Sequence, residues 1–251
     1  MAGDAPRLIH GLHAVRAVVR YDPANVIEAW VDTGRRDERT RRLSQQIASL
    51  SVPLHQVRGK DLERLVPGEP HQGVVVRYNG AAPRDESDLM ALLDGLGHEP
   101  LLLVLDQVQD PHNLGACLRT ADGAGVDAVI APRDRAVGLT ATVHKVASGA
   151  ASSVPFVQVS NLARLLKQLK QRGIWLVGAD GEAKQTLFDA DLAGPLAVVM
   201  GAEDSGLRRL TREHCDFLVK LPMAGSVPSL NVSVATGIVL YEAMRQRGVR
   251  G

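Results

Sequence analysis

Aromatic side chains are scarce in this sequence, at 3% of 251 residues. A core must therefore be built from Leu, Val, Ile and Ala. Any nucleic-acid binding mode that needs many Tyr, Phe or Trp under the bases has little to draw on. Cysteine is scarcer still: Cys117 and Cys215 lie far apart, with no CxxC and no Cys/His spacing of a zinc site. That pattern argues against a disulfide framework and a structural metal, and a reducing cytoplasm is the expected compartment. No apolar run approaches the ~18 residues of a membrane span. The opening residues Met1 to His10 lack the apolar centre of a signal peptide. The expectation is a soluble cytoplasmic protein that binds no metal and no membrane.

An excess of charge is also missing. The net charge of +1 gives no strong sign of a polyanionic partner. Its distribution says slightly more. Residues 1–80 hold 12 Lys/Arg against 9 Asp/Glu, a net of +3, and the rest hold 17 against 19, a net of −2. A polyanion would favour the N-terminal part. The densest basic run is Arg35, Arg36, Arg39, Arg41 and Arg42, which fits either RNA phosphate contact or a solvated helix face shared with Asp37 and Glu38.

With 45% hydrophobic and 23% charged residues, the chain has enough apolar material for an ordered core. Residues 7–79 read as a small α/β domain. It has helices over Gly11–Arg20 and Asp37–Leu50, and strands over Val26–Val31, Leu54–Val57 and Val74–Tyr78. Residues 80–98 look like a linker, with Gly80 to Pro83, acids at 85, 86 and 88, and a short helix around Leu89–Leu93.

From residue 99 to 251 the pattern changes to apolar strands alternating with helices. The strands are expected at Leu101–Leu105, Val126–Ile130, Pro155–Val159, Ile174–Gly178, Leu196–Met200 and Phe217–Leu221. Helices are expected at Leu114–Ala124, Thr142–Ala150, Leu162–Arg172, Leu207–His214 and Val232–Arg247. Continuous apolar strands separated by helices predict a parallel sheet covered on both faces.

Parallel α/β sheets bind ligands at the carboxyl ends of their strands. The first apolar strand runs into Asp106 to Gly115 without a GxGxxG, so a dinucleotide fold loses its main support. Gly201 to Gly206 has the spacing of a phosphate loop but continues Leu207-Arg208, and no GxSxG occurs. Three polar loops remain: Asn113 to Arg119, Met200 to Gly206, and Leu221 to Ser233. In order and spacing they resemble the three motifs of the SpoU family of RNA 2'-O-methyltransferases. The third, Pro222-Met223, Gly225 and Ser229-Leu-Asn-Val-Ser233, is the most specific. Ile9 to Val15 and Gln72-Gly73-Val74 resemble that family's substrate-binding domain.

The resemblance implies S-adenosylmethionine as cofactor, and transfer of its methyl to the ribose 2'-hydroxyl of a guanosine in large-subunit (23S) ribosomal RNA. It implies a homodimer and a catalytic domain whose C-terminal segment forms a trefoil knot. The alternatives are a transfer-RNA 2'-O-methyltransferase and a non-catalytic RNA-binding protein on the same fold. The family gives the proton role to the position of Arg119. A guanidinium stays protonated, so Arg119 either loses its proton to an RNA phosphate or stabilises the developing alkoxide as a cation. Asn113 fits a helix cap and an orienter of substrate, and the two roles are compatible. Glu203 organises Asn113 and Arg119 or merely favours a helix start. Ser229 and Asn231 fit the ribose or methionine end, with capping of the final helix as the plain alternative. Gly201, Leu221, Met223 and Leu230 would hold the cofactor. His112 and His144 are read as incidental.

Overall fold

The computed structural model describes residues 6–21, 23–35, 37–79, 84–202 and 205–248. The N-terminal part runs β1 (Arg7–His10), α1 (Leu12–Tyr21), β2 (Val26–Asp32), α2 (Glu38–Ala48), β3 (Leu54–Val57), α3 (Gly59–Leu65) and β4 (Val74–Tyr78). Its sheet has the order β1-β4-β2-β3, with β4 antiparallel to both neighbours and β3 parallel to β2. Alternation along β2 and β4 sends Ala29, Val31, Val74, Val76 and Tyr78 to one face. There they pack on Val15, Val18 and Val19 of α1 and on Leu43 and Ile47 of α2. The other face carries Trp30, Val57 and Val75 against Leu62 and Leu65 of α3 and Val66 beyond it. Two of these elements, β1 and α3, were not foreseen: with four and seven residues they are too short to show a period.

The second part runs α4 (Glu86–Gly95), β5 (Leu101–Leu105), α5 (Pro111–Gly123), β6 (Ala128–Pro132), α6 (Ala141–Ala147), α7 (Ala150–Ser153), β7 (Phe156–Val159), α8 (Leu162–Gln171), β8 (Trp175–Ala179), β9 (Gln185–Thr186), β10 (Leu196–Met200), α9 (Arg209–His214), β11 (Phe217–Lys220) and α10 (Val232–Gln246). The strands form one parallel sheet of seven, ordered β7-β6-β5-β10-β8-β11-β9. Along β5, Leu101, Leu103 and Leu105 enter a core with α5, α6, α7 and α10. Leu102 and Val104 enter a second core with Leu89 of α4 and Leu165, Leu166 and Leu169 of α8. The sheet is covered on both faces, as its apolar runs require.

Three expectations need correction. The single helix expected over Thr142–Ala150 is two, because Ser148 (φ 52°) and Gly149 (φ 102°) adopt the left-handed conformation that ends α6 before α7 begins. The helix expected from Leu207 begins at Arg209, since Arg208 stays extended. The segment read as a linker is built into the parallel-sheet unit from Arg84 onward. The Arg84 backbone donates to Phe156 and accepts from Gln158 on β7, and Leu89 is fully buried. Glu86 and Asp94 pair with Arg164 and Arg172 of the α8 region, each at 2.7 Å. Residues 80–83 lie outside the described residues.

The two sheets meet through helices. α1 packs on α6, and the ring of Tyr78 stands edge-on to His144 with centroids 6.0 Å apart. His144 is 4% exposed, so its place is structural.

Candidate functional site

The carboxyl ends of β5, β10, β8 and β11 converge. β5 ends at Asp106, which is 0% exposed. Arg208 donates to it from its backbone N–H (3.1 Å to Oδ2) and from Nε (2.7 Å to Oδ1). A buried carboxylate is tolerated only when paired and hydrogen-bonded, so this pair fastens the segment after β10 to the end of β5. It also explains why Arg208 is extended. Neither residue was foreseen as part of the site.

Between β10 and Arg208 the chain makes a closed loop. Ala202 N–H donates to Gly206 at 3.1 Å and Gly206 N–H donates back to Ala202 at 2.9 Å. Gly201 sits under that closure: a Cβ there would lie 2.2 Å from the Gly206 carbonyl carbon and 2.4 Å from Leu207 N. The contact that demands glycine is with the loop's own backbone. Glu203 falls outside the described residues.

Asn113 does not cap its helix. Asp110 does, accepting from His112 N–H at 2.8 Å, with Pro111 in the first helical position. Asn113 lies inside the first turn of α5, 7% exposed. Asn231 caps α10: its Oδ1 accepts from the Ser233 N–H at 2.9 Å and the Ser233 hydroxyl at 2.6 Å. With that oxygen occupied, the Asn231 amide donates to Asn113 Oδ1 at 3.0 Å. Two residues separated by 118 positions are thus joined, and capping and site assembly coincide in Asn231.

Arg119 stands on α5, where Cys117 and Thr120 turn toward Thr236 and Gly237 of α10 and Gly115 abuts Val143 and Val146. That packing leaves Arg119 exposed, with no hydrogen bond or ion pair among the described residues. His112 is likewise exposed.

A cleft with about 700 Å³ of empty space, open to solvent, lies between the loops after β8, β10 and β11. Its walls include Gly201, Leu221, Met223, Ser229 and Leu230, all singled out from the sequence, together with Met200, Val219, Val232 and Ala235. Ala179, Asp180 and Gly181 line it too and were missed, although the end of β8 was an available signal. Asp180 is held by Arg212 at 3.1 Å. The lining is apolar along most of its length, with a carboxylate and a hydroxyl at Asp180 and Ser229.

Cys215 offers no nucleophile. Burial, aided by the charge of Asp216, pushes its thiol up to about 12. No group of three or more His, Cys, Asp or Glu among the described residues could hold a metal. No helix is long and apolar enough to cross a membrane.

The arginine run before and within α2 is divided. Arg41 and Arg42 both pair with Glu38, at 2.6 and 2.8 Å, and the Arg42 bond heads the causes that hold the Glu38 carboxyl below its ordinary range. Arg35 lies over Gly73, and Arg39 is exposed without a partner among the described residues. Arg36 falls outside the described residues. Among the described residues, then, two of these arginines share one carboxylate and two do not.

Comparison with known proteins gives two family matches. Residues 100–241 match the SpoU rRNA Methylase family, and residues 8–83 match the RNA 2'-O ribose methyltransferase substrate binding family. A 23S rRNA (guanosine-2'-O-)-methyltransferase RlmB from Pseudomonas aeruginosa is 54% identical, over 95% of this chain and 96% of the relative. The protein of that name from Vibrio cholerae is 53% identical, over 96% of this chain and 97% of the relative. Among solved structures, the SpoU methyltransferase AviRb from Streptomyces viridochromogenes in complex with AdoMet is similar. It is 27% identical with a TM-score of 0.69, covering 98% of this chain and 91% of that one.

Proposed function

The chain belongs to the SpoU rRNA methylase family, and from that premise we propose that it transfers a methyl group from S-adenosylmethionine to the ribose 2'-hydroxyl of a guanosine in 23S ribosomal RNA. The observation that carries the reading in this structure is the joining of the first and third motifs, on α5 and at the start of α10, by the Asn231–Asn113 bond beside the cleft.

The cleft suits the cofactor's chemistry. The side chains of Leu221, Met223 and Leu230 give an apolar slot for a flat base, and Asp180 and Ser229 supply polar partners for a ribose or an amino acid. When bound, S-adenosylmethionine supplies an electrophilic methyl on a sulfonium. The chain's own residues must orient the ribose and manage the hydroxyl proton. Asn113 and Asn231, fixed to each other, present a rigid polar edge. A guanidinium holds its proton far above neutral pH, and Arg119 is exposed on α5. That favours the reading in which it stays a cation and stabilises the 2'-oxygen as negative charge develops.

Residues 7–79 serve as the RNA-recognition domain and residues 84–251 as the catalytic unit. The chain works in the cytoplasm as a homodimer. α10 supports a paired state by leaving Val234 and Tyr241, two turns apart on one face, 52% and 53% exposed. The C-terminal segment forms the family's knot, a reading supported by the non-sequential strand order β5-β10-β8-β11.

The test is to map 2'-O-methyl groups on 23S rRNA from cells with and without the protein, and to measure cofactor binding by calorimetry in the presence of a chelator. Loss of one guanosine 2'-O-methyl and metal-independent binding are expected. Tight binding of NAD with none of S-adenosylmethionine would sink the proposal.

A further inference from the structure

The face of the N-terminal sheet opposite α1 and α2 is covered over only half its length. α3 shields Val57 and Val75, but toward the start of β2 and β3 and the end of β4 the same face carries Glu28, His55 and Arg77 around Trp30. Trp30 and His55 are register partners on β2 and β3. Their rings are stacked, with centroids 5.5 Å apart and planes at 20°. The Arg77 guanidinium lies 5.5 Å from the centre of the Trp30 ring. Glu28 holds both side chains in place: Arg77 reaches it at 3.0 Å, and His55 Nε2–H donates to it at 3.1 Å.

We propose that Trp30, His55 and Arg77 form a stacking platform for an unpaired nucleobase of the substrate RNA. The inference rests on the reading of the chain as an RNA methyltransferase and locates a base-contacting surface on its N-terminal domain. The ordinary alternative is a solvated sheet face tidied by ion pairs. Three observations favour the platform. The chain holds only eight aromatic residues, two of them Trp, and one Trp stands on this open face in a preformed two-ring stack. The side chains of His55 and Arg77 are 46% and 43% exposed, so the next position along the stack is open and flanked by the Arg77 guanidinium. The charge balance of residues 1–80 is +3 against −2 for the rest, so the phosphates that accompany a base are drawn to this domain. A prearranged ring pair with a guanidinium beside it is how proteins receive splayed bases, and stacking tolerates any base. The rim is polar, which suits a nucleobase better than an apolar protein surface.

The full chain carries its own probe. With Trp175→Phe, Trp30 is the sole tryptophan. Titration with a short unstructured RNA should quench Trp30 emission to saturation, and inorganic polyphosphate should not. His55→Ala, a change on an exposed side chain, should weaken RNA binding about tenfold, the scale of one lost base stack. Trp30→Ala should do the same and Trp30→Tyr should restore most of it, with cofactor affinity unchanged throughout. Unaltered emission at RNA saturation, or equal quenching by polyphosphate, overturns the platform. Normal RNA affinity in His55→Ala overturns it while leaving methyl transfer by the wild type, and hence the function, standing. A wild-type chain that neither binds nor methylates 23S rRNA overturns both. Quenching by ribosomal proteins but not by RNA overturns it in favour of a protein partner.

Discussion

The two sheets of this chain are covered to different degrees. β5 and β10 of the parallel sheet are buried at every position, whereas β3 of the mixed sheet is buried at none. A parallel sheet must be sheathed on both faces, so its chemistry is confined to the strand ends, where the cleft and Arg119's helix lie. The mixed sheet needs only one fully packed face, and its spare face can carry polar and aromatic groups for a partner. On the proposed reading the difference separates labour: catalysis at the ends of one sheet, recognition on the flank of the other.

The sharpest way to break that division is Arg119→Ala. Arg119 is exposed and unpartnered among the described residues, so folding and cofactor affinity should stay near normal. Single-turnover transfer should fall at least ~100-fold, the usual effect of losing a charge-stabilising or acid/base group. Arg119→Lys should fail too, because a flexible point charge does not replace a planar fork. Near-normal transfer in Arg119→Ala would show the assignment to be wrong and make Ser229 the next residue to examine.

The second test places the boundary between the regions. A fragment of residues 84–251 should fold and bind cofactor while losing most RNA affinity. A fragment of residues 99–251 lacks α4 and leaves the space of Leu89, which is 0% exposed, empty. It should be less stable by at least the ~2–5 kcal/mol of a lost buried leucine, seen as a lower denaturation midpoint. Equal midpoints would return the α4 segment to the status of a linker.

The parallel sheet was legible because full burial leaves nothing polar in its strands. Leu101–Leu105 and Leu196–Met200 read as apolar runs and are strands with those bounds. The mixed sheet was harder. β1, Arg-Leu-Ile-His, is four residues long and gives no pattern, and the sparing use of α3 hid the open face around Trp30. Leu221, Met223, Ser229 and Leu230, named from the third motif, line one cleft because that segment is contiguous. What sequence could not give were joints between distant positions: Asp106 with Arg208, 102 residues apart, and Asn113 with Asn231, 118 apart. A glycine was found at 201, but only the folded loop shows that Gly206 is what crowds it.

That crowding supplies a third prediction. Gly201→Ala forces a methyl against backbone that no rotamer change can move, so the loop must shift. Overpacking of this kind costs about 1–3 kcal/mol, and cofactor affinity should drop about tenfold or more by calorimetry. RNA binding, which the proposal assigns to the other sheet, should change little. A parallel loss of RNA affinity would mean that the two regions are coupled.

The smallest effect concerns pH and separates the regions by composition. Cys215 lies between α9 and β11, and the described residues of the N-terminal sheet contain no cysteine. Burial raises the Cys215 thiol from an ordinary 9.0 to about 12, while in the unfolded chain it ionises near 9. Below pH 9 both states are protonated and the contribution is constant. Between about 9 and 12 the unfolded state releases a proton that the folded state keeps, so stability falls as pH rises. At pH 10 the loss is about 1 kcal/mol, one unit of displacement at 1.36 kcal/mol per unit. Other groups titrate there as well, so the measurement is a difference. Denaturant unfolding of wild type and Cys215→Ala at pH 8 and pH 10 should show a smaller alkaline loss in the variant. Trp175, beside Phe217 in this same sheet, should report it, whereas Trp30 in the other sheet should not. Equal losses in both proteins would place the alkaline sensitivity outside Cys215. Equal losses at both tryptophans would show that the two sheets unfold as one.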